Sequence, residues 1–162
     1  MNKKRKWQPR ELAMGREYVN KFYANRIAIP RVRLGTIEIA PEIQAASTQE
    51  IRMMGIFRRW CDWIILGPPD NVILEIAIRP DPGDISKLQC YKLLWPKTQE
   101  FTNYMHHPTR MELCYAITDP VVIHMAKTRH IKCVKFEPSF LPEYLKILMP
   151  RERTPPKSGG IL

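Results

Sequence analysis

Much that usually labels a chain is missing from these 162 residues. No apolar run approaches the roughly 20 residues that a membrane-spanning helix needs, so no membrane partner is expected. The basic N-terminus MNKKRKWQPREL is followed by no apolar stretch, which argues against a secretory signal. The four cysteines, Cys61, Cys90, Cys114 and Cys133, lie far apart, with no C-x-x-C pair and no zinc spacing. They read as reduced, buried thiols of a cytoplasmic protein. His106, His107, His124 and His130 have no carboxylate or cysteine at ligand spacing and read as surface or packing residues. There is no glycine-rich phosphate loop, no G-x-S-x-G element and no internal repeat.

Acidic residues are also scarce, 16 against 26 lysines and arginines, and the imbalance is local. Residues 1–33 carry ten bases (Lys3, Lys4, Arg5, Lys6, Arg10, Arg16, Lys21, Arg26, Arg31, Arg33) against Glu11 and Glu17, a net +8. The rest of the chain contributes only +2 of the total +10. A basic arm on a nearly neutral body points to a polyanionic partner, nucleic acid first and an acidic protein surface or anionic lipid second. Trp7, inside the arm, has the chemistry to stack on bases. Trp60, Trp63 and Trp95 fall in apolar segments and are expected in the core.

The length and the 44% hydrophobic content suit one core. Three parts are expected: a flexible basic arm over 1–8, a single domain over 9–150, and a Pro/Gly-rich tail over 151–162. The spacing predicts a helix over 9–25, with Gly15 as its weak point, and a strand pair or extended loop between Pro30 and Pro41. FRRWCDWIIL and NVILEIAI read as strands joined by Gly67-Pro68-Pro69-Asp70. Asp81 then caps a helix that starts at Pro82, carries Asp84 in its first turn and stops at Pro96. A strand over 111–118, a helix over 121–129 and a strand over 131–136 complete a βαβ unit. The fold class is α/β, a mixed central sheet flanked by helices.

Glu75 is the lone charge in an apolar strand. A four-residue hairpin loop pairs Ile65 with Val72 and so places Asp62 opposite Glu75, with β-carbons about 4.5–5.5 Å apart. Two such carboxylates repel unless a proton or cation joins them, and Mg²⁺ suits two acids, a carbonyl and waters. Asp62 and Glu75 are therefore candidate metal ligands. The alternative is a Glu75 paired with Arg58, Arg59 or Arg79.

The stretch RRWCDWIILGPPDNVILEIAIRPDPGDISKLQCYKLLWPKT resembles the core of the PD-(D/E)XK nuclease-like superfamily. Asp62 matches the first acid and Glu75 the second. Gln89 and Tyr91 match the polar and aromatic positions of the following helix, at a spacing of two where the pattern has four. The resemblance covers about residues 56–137 and implies a restriction-endonuclease-like core. It departs at the third element, where the lysine of E-x-K is Ala77. Two replacements are conceivable: Arg79, which shares the strand face of Glu75 but is a poor proton carrier, and Lys87 on the next helix, a relocation the resemblance allows, whose alternative is an ordinary exposed lysine.

Three functions stay open. The one favoured by Ala77 is a catalytically degraded nuclease fold that binds DNA or neighbouring subunits through its arms. The resemblance extends this to a phage virion component, for example at a head–tail junction, needing no cofactor. The alternative is an active Mg²⁺-dependent DNA nuclease using Asp62, Glu75 and Lys87. The third is a scaffold for an acidic protein. Candidate nucleic-acid contacts are Lys3, Lys4, Arg5, Lys6, Trp7, Arg10, Arg58 and Arg59, with Arg79, Gln89 and Tyr91 in support.

Overall fold

A five-stranded mixed sheet organises the computed structural model, which describes residues 8–36 and 59–148. The strands are β1 (Ile27–Leu34), β2 (Arg59–Leu66), β3 (Asn71–Ala77), β4 (Thr109–Tyr115) and β5 (Ile131–Lys135), in that spatial order. β1, β2 and β3 pair antiparallel, while β3, β4 and β5 pair parallel. The parallel steps need crossover helices. These are α2 (Pro82–Leu94) and α3 (Pro120–Thr128), both on one face. On the other face lie α1 (Gln8–Phe22) and α4 (Leu141–Leu148). The protein is thus α/β, with element order as the resemblance implies.

Local chemistry explains the main elements. Asp81 accepts from the Gly83 amide while Asp84 accepts from the Asp81 amide, a reciprocal cap with Pro82 opening α2. Leu88, Tyr91 and Trp95 are buried together on its inner side. α3 starts on Asp119, which accepts from Val121 and Val122. Gly67 takes a positive φ of 93° at the β2–β3 turn, a conformation glycine adopts without strain. α1 lies so close to the sheet that a β-carbon on Gly15 would stand 2.5 Å from Trp63 Nε1. The glycine that weakens this helix by propensity is the one that lets it dock.

Some expectations are corrected. α1 ends at Phe22, three residues before the expected boundary, because Tyr23 turns inward to buried Glu112. β1 starts at Ile27, runs through Pro30 and pairs with β2, which an edge strand tolerates. β4 begins at Thr109 and ends at Tyr115. Helix α4 has no counterpart in the sequence reading. Trp63 and Trp95 are buried, whereas Trp60 is 46% exposed. Lys3, Lys4, Arg5, Lys6, Trp7, Arg58, the remainder of the segment beyond Thr36 and the tail lie outside the described residues.

Candidate functional site

The hairpin has the expected register, with Ile65 opposite Val72 and Trp63 opposite Leu74. The ladder stops there, one pair short of Asp62 and Glu75. Side chains also change face at this point. Trp63 packs toward α1, yet Cys61, two residues earlier, packs under α2. Across the pairing, Ile29 and Val32 both belong to the α2 side, and Arg31 between them has a φ of +53°. A non-glycine residue in the left-handed region reverses the pleat, so β1 and β2 turn together beside Asp62. The Ile76 amide, left without a partner on β2, donates to Asp62 Oδ2 at 2.9 Å.

Glu75 sits in the middle of β3, on the face covered by α2, and is 3% exposed. Lys87, one turn into α2, donates to Glu75 Oε1 at 2.9 Å and to Asp84 Oδ1 at 2.8 Å. Asp84 is the residue that closes the helix cap through its other oxygen, so the cap also fixes the lysine. Glu75 Oε2 is buried and has no hydrogen-bond partner. A bare carboxylate oxygen in that position is costly without a proton or cation.

The electrostatics follow. Burial, and then the nearby Asp62 carboxylate, push Glu75 up to about 8. Burial also raises Asp62, against the Ile76 amide and Lys87, which lower it. Glu11, on α1, is raised by burial and by Asp62 and Asp84. Burial would lower Lys87, but Glu75 and Asp84 outweigh it and hold the ammonium well above its ordinary value. Four acids and one lysine, from α1, β2, β3 and α2, therefore act on one another at the open end of the β2–β3 ladder.

Other sequence candidates sit in different surroundings. Tyr91 is buried and donates to the Trp60 carbonyl, tying α2 to β2 two residues before Asp62. Gln89 accepts from Arg129, the residue that caps the end of α3. Arg79 pairs with Asp119 at 3.6 Å and is largely exposed, so it neither neutralises Glu75 nor replaces the missing lysine. Ala77 is packed in the core under α2. Arg10 stacks on Tyr144 of α4 at 4.8 Å, and Arg59 is exposed at the start of β2. Glu11 and Asp84 were not singled out as site residues. Glu11 is one of only two acids in the basic first 33 residues, a signal that could have been used.

Among the described residues, no three acids, histidines or cysteines gather closely enough to enclose a metal by themselves. Two carboxylates completed by a backbone carbonyl and water remain, the arrangement Mg²⁺ accepts. The orphaned Oε2 of Glu75 fits such an ion.

No protein-family model matches the chain, nor does any curated protein. Among solved structures it is similar to the crystal structure of a repair endonuclease from Pyrococcus abyssi, with a TM-score of 0.46 and 12% identity. That likeness covers 78% of this chain and 46% of the other, so this chain spans less than half of that protein's length. It assigns no residue here.

Proposed function

We propose that this protein is a divalent-metal-dependent DNA nuclease whose missing strand lysine is supplied by α2. The observation that carries the reading is the Lys87 ammonium 2.9 Å from Glu75, locked by Asp84 and beside the uncompensated Oε2. The sequence argument for lost chemistry rested on Ala77, and Lys87 supplies the cation that Ala77 lacks.

Asp62 and Glu75 would hold the ion. A bound Mg²⁺ or Mn²⁺ would polarise a phosphoryl oxygen and acidify water. Lys87 stays protonated, so its role is to orient the nucleophilic water and to face the negative charge that develops on phosphorus. It acts as donor, never as base. Asp84 keeps that donor aimed, and Asp62 keeps the ladder open by taking the Ile76 amide. The excess of positive charge in residues 1–33 would draw DNA to the site.

The test is cleavage of labelled single-stranded, duplex and branched DNA by the full chain with Mg²⁺ or Mn²⁺. Glu75→Gln and Lys87→Met should each slow cleavage by roughly 10²-fold or more. Folded wild-type protein that cuts none of these substrates with either ion would overturn the proposal.

A further inference from the structure

We infer that Trp60, with Arg31 and Arg33, forms a platform that grips an unpaired nucleic-acid strand next to Asp62. This deepens the nuclease reading and rests on it for the position of the cut, but the grip itself is independent of cleavage. Trp60 is a large aromatic at 46% exposure in a strand whose later residues, Trp63 to Leu66, are all buried. It faces Arg33 directly across the β1–β2 pairing. The Arg33 guanidinium lies 4.4 Å from the indole centroid and that of Arg31 5.5 Å.

Two features separate this cluster from an incidental surface tryptophan. The Tyr91 hydroxyl holds the Trp60 backbone carbonyl, which fixes the backbone that carries the indole relative to α2. Arg31 reaches the ring from a left-handed backbone conformation that L residues avoid and that tends to mark functional sites. Indole and guanidinium planes stack on bases, and the exposed Arg31 guanidinium matches a phosphate. A base inside a duplex has both faces covered by its neighbours and cannot lie on an indole. The occupant is therefore a strand with unpaired bases, its phosphates led toward Asp62.

The experiment measures fluorescence anisotropy of the full chain with labelled thymidine oligonucleotide, roughly 16 nucleotides long, and with a duplex of equal length. EDTA is present, so no cleavage can occur. The single strand should bind more tightly than the duplex. Trp60→Leu should weaken single-strand binding by roughly tenfold, with Trp60→Phe keeping most of it and duplex affinity unchanged. Arg31→Gln should lower the dependence of log affinity on log salt by about one. Unchanged single-strand affinity in Trp60→Leu would overturn the platform, even if metal-dependent cleavage is found. Loss of single-strand binding in Trp60→Leu, in a protein that cleaves nothing, would leave the platform standing and remove the nuclease reading.

Discussion

Replacing Glu75 by glutamine separates the cost of burying this acid from the use of it. In the folded chain its ionisation is delayed from 4.5 to about 8 by burial and by Asp62. An acid raised in this way leaves stability intact below its unfolded pKa and removes it as pH climbs toward the folded one. At 1.36 kcal/mol per unit, the loss is on the order of 3 kcal/mol by pH 7, a large share of a typical 5–15 kcal/mol total. Lys87 takes Oε1, so the retained proton belongs on Oε2, the atom without a partner. A divalent ion entering there must displace that proton, and its affinity should rise up to tenfold per pH unit below 8. Urea melts from pH 5 to 9 should show wild-type stability falling until about pH 8, with Glu75→Gln falling much less. Mn²⁺ should restore stability to the wild type at alkaline pH and do little for the variant. Equal pH slopes for the two proteins would refute the reasoning, since no other change separates them.

Lys87→Met should leave Glu75 neutral to still higher pH, so the decline in stability should start at the same pH as in the wild type and continue further into the alkaline range. Because Lys87 is half exposed, its thermodynamic cost should be only about 1–2 kcal/mol, well under that of breaking a fully buried pair. Gly15→Ala gains helix propensity but puts a β-carbon against Trp63 Nε1 and Ile76, so denaturant melts should show a net loss of about 1–3 kcal/mol. Tyr18→Phe removes a 2.5 Å hydrogen bond to buried Glu112 and should cost about 1.5–3 kcal/mol at pH 7. Deleting residues 1–8 should flatten the salt dependence of DNA affinity, measured by titration at several salt concentrations.

The hairpin was legible because its loop length and its alternation agree, and both are local. Where the ladder ends was not, because the reversal depends on Arg31 adopting a left-handed φ under tertiary constraint. The α2 cap could be read from Asp81, Pro82 and Asp84 alone. What Lys87 touches could not, since half of its side chain is exposed and only the ammonium is engaged. Trp60 was misplaced because an apolar run does not reveal which end of a strand extends past its covering helices. LPEYLKIL carried a usable signal, with Leu141, Tyr144, Leu145 and Leu148 at helical spacing, but it follows Pro138 and contains Pro142. Glu11 reaches the site only through the close docking that Gly15 permits, and a helical period cannot show how near a helix lies to its sheet.

Two buried glutamates make opposite use of this sheet, and the contrast bears on which of them does chemistry. Glu112, on β4 opposite Leu74, faces α1, whereas Glu75 faces α2. Tyr18 and Tyr23 donate to Glu112 at 2.5 and 2.8 Å, Arg110 donates to it, and Lys132 lies 3.5 Å away. Burial alone would raise its carboxyl, yet the Tyr18, Arg110 and Tyr23 hydrogen bonds hold it below the ordinary range. Stability from Glu112 is therefore present above its unfolded pKa and lost as pH falls through the folded one. Every oxygen there is answered, and a cation would find no free lone pair to justify displacing tyrosine and arginine. Glu75 has one oxygen answered and one left bare in a nearly closed site. The first pattern is that of a clamp holding α1 to the sheet. The second persists against a cost in stability, and of the two only Glu75 gains from the arrival of a cation.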